Sequence, residues 1–259
     1  MDLGIKGKVA LVTGGSRGLG RACALALAQE GANVAICARG EERLGQTTKE
    51  LQKLTTKAKG YTSDVSSPEA PAKLVEQVEH DFGQVDILVN NVGGSLGTRD
   101  LLASSEEDFA KVMDANLWSA LRLMKLVVPK MQARKWGRVI NVASIYGREH
   151  GGPSAPYMTA KASMIAATKH LALSVTKDGV TANSVAPGSI IFPGGGWERF
   201  VQNSPKAVVD EFIARNLPMG KFGWPEPIGA TVAFLASKQA DLITGVCINV
   251  DGGQSHNLY

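Results

Sequence analysis

Short apolar runs recur along this chain at near-regular intervals. Seven of them read as strands: 9–13, 33–38, 58–62, 85–90, 138–142, 180–185 and 246–250. Amphipathic or Ala-rich stretches lie between them, around 18–30, 41–56, 68–82, 105–135, 157–177 and 227–236, and their period is helical. Strands that alternate with helices predict parallel pairing through crossover helices, hence a doubly wound α/β sheet of about seven strands. The strand runs are apolar on both faces, as a sheet with helices on both sides requires. No internal repeat or low-complexity linker interrupts the pattern, so one domain is expected over residues 1–259. One segment breaks the rhythm. Residues 189–226 hold Pro193, three successive glycines at 194–196, Trp197, Phe200 and Pro218. Long connections in compact domains often serve function, so a substrate lid is expected there, with the glycines as hinge and the aromatics as cover. An ordinary surface excursion carrying its own short helix is the alternative.

Composition narrows the class. Of 259 residues, 44% are hydrophobic and 20% charged, enough apolar material for one large core. The net charge is +4 and scattered, with no basic block of the kind that grips nucleic acid or a membrane face. Lys49, Lys53, Lys57 and Lys59 read as the solvated side of a helix. No apolar run reaches bilayer length, and the first six residues lack the regions of a signal peptide, so a cytoplasmic location is expected. Cys23, Cys37 and Cys247 show no ligand spacing and read as small buried hydrophobes, and no metal site is expected.

Two local patterns carry chemistry. Tyr157 and Lys161 stand four residues apart, on one face of a predicted helix. A nearby cation favours the phenolate and suits a tyrosine to carry a proton in carbonyl or alcohol chemistry. The second pattern is Thr13-Gly14-Gly15-Ser16-Arg17-Gly18-Leu19-Gly20, between the first strand and the first helix. Glycines there permit a tight turn and close approach of backbone to a pyrophosphate, with free N–H donors at the helix start. In an alternating α/β chain this reads as the dinucleotide turn of a Rossmann-type domain. Ser144 falls at the end of the fifth strand, at the sheet edge where ligands bind.

The chain resembles the short-chain dehydrogenase/reductase family across nearly its whole length. Gly14, Gly18 and Gly20 match that family's glycine motif, and Asp64-Val65 its adenine-contacting pair. Asn90-Asn91-Val92-Gly93 matches its Asn-Asn-Ala-Gly motif, with Val for Ala. Asn116, Ser144, Tyr157 and Lys161 match its catalytic tetrad, and Asn183 and Pro187-Gly188 the segment that passes the nicotinamide. The resemblance implies that Tyr157 exchanges the proton, Ser144 holds the substrate oxygen, Lys161 lowers the phenol pKa and bonds the nicotinamide ribose, and Asn116 holds a relay water. The family's usual Thr after Pro-Gly is replaced by Phe192, which leaves backbone near Ile190 to hold the carboxamide. The second strand ends in Cys37-Ala38-Arg39 with no carboxylate, and Arg17 adds a second cation. Both arginines stand where NADP-dependent members hold the 2′-phosphate, so NADP is the expected cofactor. The open alternative is that Arg39 stacks on adenine and NAD binds as well. Glu41 and Glu42 are candidate partners for Arg39.

Similarity is greatest to 3-oxoacyl-carrier-protein reductases and related ketoreductases, which implies a ketone and a secondary alcohol as substrates. Ser95, Leu96, Tyr146, Arg148, His150, Pro153, Met158, Trp197, Phe200 and Met219 are the candidate pocket residues. Apolar and Ala-rich positions on the helices at 105–135 and 157–177 exceed what one sheet face needs, and family members pair these helices between subunits, so a homotetramer is expected. Two rivals stand beside this reading: an NAD-dependent alcohol or polyol dehydrogenase, and a dinucleotide sensor without turnover.

Overall fold

The computed structural model describes residues 2–55, 57–152 and 154–258; Pro153, one of the candidate pocket residues, lies outside them. Seven strands form one parallel sheet: β1 (Val9–Thr13), β2 (Asn33–Ala38), β3 (Ala58–Thr62), β4 (Ile87–Asn90), β5 (Gly137–Val142), β6 (Val180–Pro187) and β7 (Cys247–Val250). Their order is β3-β2-β1-β4-β5-β6-β7. The order reverses between β1 and β4, which opens a crevice at the carboxyl edge where doubly wound sheets bind ligands.

Alternation along each strand divides the core in two. Ala10, Val12, Val34, Ile36, Ile87 and Val89 face one layer, built by α1 (Gly18–Gln29), α2 (Glu41–Leu51) and α9 (Glu226–Ala236). Leu11, Ala35, Cys37, Leu88 and Val139 face the other, built by α3 (Ala70–Phe82), α5 (Ser119–Ala133) and α6 (Ala155–Val175). No helix among the described residues is long and apolar enough to cross a membrane.

Several boundaries differ from the pattern-based expectation. The fourth strand starts at Ile87, and ahead of it Asp86 spends its carboxylate on the Val9 N–H at 3.0 Å. The helix expected over 41–56 ends at Leu51. The helix expected over 105–135 is two helices, α4 (Glu106–Met113) and α5, separated by a π-helical turn at Asp114–Trp118. α6 begins at Ala155 because Ser154 caps it, accepting the Tyr157 N–H at 3.2 Å, with Pro156 in the first turn.

The excursion between β6 and α9 contains α7 (Gly196–Asn203) and α8 (Lys206–Asn216). It has a small core of its own, in which Val209, Leu217 and Phe222 are buried among Trp197, Phe200 and Phe212. Ring centroids lie 4.8 Å apart for Trp197 and Phe212, and 5.3 Å apart for Trp197 and Phe222.

Candidate active site

The turn after β1 is shaped to meet phosphate. Gly14 and Gly18 take left-handed backbone (φ 65° and 54°), which other residues adopt only at a cost. A side chain on Gly20 would run into the Gly14 carbonyl, so the helix can follow the turn this closely only with glycine there. The start of α1 has no side-chain cap and no acidic residue in its first turn, leaving its N–H donors and positive dipole end for an anion. Ser16 and Leu19 belong to the same turn; the Ser16 carbonyl is held by the Thr47 hydroxyl at 3.1 Å. Asn91 staples the turn to β4, donating from Nδ2 to the Thr13 carbonyl at 2.9 Å, while Thr13 Oγ1 accepts the N–H groups of Asn91 (2.9 Å) and Val92 (3.2 Å). Arg39 stands at the exposed end of β2, with Nη1 3.9 Å from Asp64 rather than paired with Glu41 or Glu42. Val65 beside Asp64 is buried.

The chemical groups meet where β4, β5 and α6 converge. The π-helical turn places the fully buried Asn116 so that Nδ2 donates to the carbonyls of Val112 and Gly94, both at 2.9 Å. Its Oδ1 accepts the Gly94 N–H, also at 2.9 Å. A Cβ on Gly93 would collide with Asn116 Oδ1 and sit 3.0 Å from Lys161 Nζ. The missing side chain at Gly93 thus lets the backbone pass close to both polar groups, which form a cradle around it. Lys161 is 2% exposed and donates to the Val142 carbonyl at 2.8 Å. Burial pulls its ammonium down to about 7.

The Tyr157 phenol is pushed up by burial, and the Ser144 hydroxyl opposes that rise. Lys161 Nζ lies 5.7 Å from the Tyr157 ring centroid. Burial is the largest influence on both groups, raising the phenol and lowering the ammonium. Ser144 follows the fifth strand at the carboxyl edge of the sheet. It stands two residues beyond β5, at the head of a 3-10 turn (Ile145–Gly147), where its Oγ accepts the Tyr146 N–H at 3.2 Å.

Behind these groups runs a buried polar chain. Asn90 donates to Asn141 Oδ1 at 2.8 Å, Asn141 donates to Thr168 Oγ1 at 2.7 Å, and Ser184 meets the same Thr168 oxygen at 3.0 Å. It locks α6, and with it Tyr157 and Lys161, to β4, β5 and β6. The sequence reading missed it; the signal was a polar residue, Asn141, inside the apolar run of β5. Ser154, also missed, is both the cap of α6 and the partner of Thr98 Oγ1 at 2.6 Å. A Ser two residues before a Pro at the start of a helical pattern marks such a cap.

The candidate pocket residues do not all converge. Arg148 is pinned to β7, donating to the Cys247 carbonyl at 3.0 Å and Asn249 Oδ1 at 2.7 Å, and so does not reach for a substrate. Trp197 and Phe200 turn into the excursion's own core rather than forming a substrate wall. Asn183, read as passing the nicotinamide, is fully buried and ties β6 to the lead-in of β7 through the Ile243 carbonyl at 2.8 Å. Met158 follows Tyr157 on α6, half-buried, and Ser95 is half-buried in the loop after β4, where its carbonyl takes the Thr98 hydroxyl at 2.6 Å. Leu96, in left-handed backbone (φ 52°), His150 and Met219 are exposed. Pro187 ends β6, and Gln254 fixes the next residues, its Oε1 accepting the Ser189 N–H at 2.7 Å. Gly188 follows under the same glutamine, and Ile190 is buried in a bridge to Gly223. Phe192 lays its ring against Gly18, at 2.6 Å from where a Cβ would stand, so it covers the turn.

Residues 14–255 match the family model described as enoyl-(acyl carrier protein) reductase. The chain is 40% identical to the 3-oxoacyl-(acyl-carrier-protein) reductase FabG of Vibrio cholerae, over 97% of this chain and 98% of that one. Among solved structures, L-sorbose reductase from Gluconobacter frateurii, complexed with NADPH and L-sorbose, superposes with a TM-score of 0.93 at 32% identity over the whole of both chains. A single-substitution variant of actinorhodin polyketide ketoreductase, with NADPH, gives a TM-score of 0.89 at 34% identity, over 96% of this chain and 98% of that one. With the glycine turn, the Asn-Asn-Val-Gly stretch and the Ser, Tyr and Lys side chains all in place around one sheet edge, the chain belongs to the short-chain dehydrogenase/reductase family and is an oxidoreductase of its ketoreductase type.

Proposed function

We propose that this protein is an NADP-dependent oxidoreductase that interconverts a ketone and a secondary alcohol, with Tyr157 carrying the proton. The observation that carries the reading is the joint placement of Ser144, Tyr157, Lys161 and Asn116 on one sheet edge, with the glycine turn and Gly93 beside them. Bound nicotinamide supplies or accepts the hydride. The chain's own residues do the rest. The Ser144 hydroxyl, which influences the Tyr157 phenol, orients the substrate oxygen against it. Tyr157 gives its proton to that oxygen in reduction and withdraws it in oxidation. Lys161, held by the Val142 carbonyl at one face of the Gly93 cradle, is placed to bond ribose hydroxyls and to resupply the proton. Asn116 spends its side chain on Gly94 and Val112, so its contribution is the shape of the cradle and of the π-turn.

Arg17 and Arg39, with no acidic residue at the end of β2, favour the 2′-phosphate of NADP. The relatives named above act on 3-oxoacyl groups, a ketose and a polyketide, which supports a ketone as substrate. The excursion over 189–226 acts as the lid of the substrate side. Half-exposed Trp118 and exposed Leu173, on the outer sides of the π-turn and α6, favour pairing of these helices between subunits in a homotetramer. Steady-state rates with NADPH and NADH, on a panel of β-ketoesters, cyclic ketones, aryl ketones and acyl thioesters, test the reading. NADPH should be favoured in kcat/KM by at least about tenfold, the worth of one charge-assisted hydrogen bond. Preference for NADH would overturn the cofactor assignment, and binding of NADPH with no turnover on any carbonyl would favour a sensor.

A further inference from the structure

Two guanidinium groups meet at one carbonyl, and a third, from a separate element, lies beside the same residue. Arg17, in the turn before α1, donates from Nη1 to the Gly194 carbonyl at 2.9 Å. Arg199, on α7 of the excursion, donates to the same oxygen at 2.9 Å. The position a Cβ would take on Gly194 lies 3.0 Å from Arg17 Nη1 and 3.1 Å from Nη1 of Arg43, in the first turn of α2. None of these three arginines forms an ion pair among the described residues. The carboxylate at this spot, Glu198, is engaged with the Gly194 N–H at 2.7 Å. Arg17 and Arg43 line a cleft of about 450 Å³, with Ser16, Gly18 and Phe192, continuous with the phosphate-binding turn; Glu226 and Glu50, the latter paired with Arg21, line it too.

Such a gathering has little to do for the fold, because all three side chains lie on the surface and a neutral carbonyl is a poor partner for two cations. A phosphate offers several charged oxygens in the planar, forked geometry that guanidinium matches. The pyrophosphate is served by the free N–H groups of α1, which leaves the arginines for a different phosphate. Arg43 lies in the first turn of α2, in the segment that follows β2 and Arg39, from which the ribose 2′ position of a dinucleotide is read.

We propose that Arg43 and Arg199 complete, with Arg17, a clamp for the 2′-phosphate of NADP, and that Arg199 thereby ties closure of the excursion to the presence of that phosphate. The inference rests on the NADP reading above and adds two residues to it, one of them from the lid.

Equilibrium titration of the full chain with 2′,5′-ADP and with 5′-ADP tests it without any turnover. Arg43→Gln and Arg199→Gln should each weaken 2′,5′-ADP roughly tenfold while leaving 5′-ADP unchanged. Arg215→Gln, which removes an exposed lid arginine 3.8 Å from Glu211, should change neither. In parallel, 2′,5′-ADP should protect residues 192–217 from limited proteolysis in the wild type but not in Arg199→Gln, and 5′-ADP should protect neither. Unchanged 2′,5′-ADP affinity in both variants, or an equal loss for the two nucleotides, would overturn the clamp. Equal protection by the two nucleotides would overturn the tie to the lid. A wild-type protein that binds 5′-ADP as tightly as 2′,5′-ADP would instead sink the NADP reading itself.

Discussion

The sheet edge under Tyr157 and the excursion after β6 are built on opposite plans. Around Tyr157 the side chains are buried and fastened to one another and to backbone: Asn116 has three hydrogen bonds, Lys161 is held by the Val142 carbonyl, and Asn90, Asn141, Thr168 and Ser184 form a chain beneath them. The excursion has a private aromatic core and meets the phosphate-binding turn through Phe192 against Gly18 and through guanidinium bonds to the Gly194 carbonyl. One region cannot move without breaking buried polar bonds; the other can swing as a unit by exchanging surface contacts. On the function proposed, the chemistry falls to the region held by buried bonds, and selection of what enters to the excursion.

The contrast can be broken first at the cradle. Gly93→Ala should lower kcat/KM about 100-fold and lower the melting temperature as well, because the added methyl meets Asn116 Oδ1 and Lys161 Nζ and Asn116 is buried with every bond in use. A variant with near-normal kcat/KM would show that the cradle is not part of the site. Phe212→Ala removes a central ring of the excursion's core. It should raise KM for the ketone about tenfold and leave the melting temperature of the main domain nearly unchanged, since the ring packs within the excursion. A large fall in that melting temperature would join the two regions into one cooperative unit.

A smaller effect concerns pH. Lys161 has its ammonium pulled from an ordinary value of 10.5 down to about 7, so between those values the unfolded chain binds more protons than the folded one. Its contribution to stability therefore rises as pH increases from about 7 to 10.5 and is least favourable below 7. Denaturant titrations of wild type and Lys161→Met across that window should show the rise only in the wild type; parallel curves would refute the shift. The smallest effect is expected from Arg148→Ala, whose guanidinium serves β7. KM for neutral and anionic ketones should stay within about twofold of wild type, in keeping with a site that does not contact substrate.

The same division explains what could be read from the chain alone. All seven strands were legible, since apolar runs buried on both faces have few other uses. The glycine turn and the Ser, Asn, Tyr and Lys positions were legible because each is set by local geometry and a fixed order of motifs. The π-turn at Asp114–Trp118 was not, because a helical period survives one widened turn and only the bonds of Asn116 reveal it. Trp197 and Phe200 were misplaced because an aromatic residue in a long connection fits a private core as well as a ligand wall, and the outcome depends on Phe212 and Phe222 many residues away. Arg148 was misplaced for a similar reason: a guanidinium suits an anion or a strand's carbonyl equally, and β7, 99 residues away, decided it. The pKa of Lys161 depends on burial, which spacing does not disclose.

The central claim is that the Tyr157 hydroxyl carries the proton exchanged with the substrate oxygen. Its most direct test compares single-turnover oxidation of NADPH by a β-ketoester in wild type and in Tyr157→Phe, with NADPH affinity measured on both. The account predicts a rate lower by about 100- to 10,000-fold with NADPH affinity within about twofold. A Phe variant that turns over at a rate close to wild type, with its fold and NADPH binding intact, would contradict it.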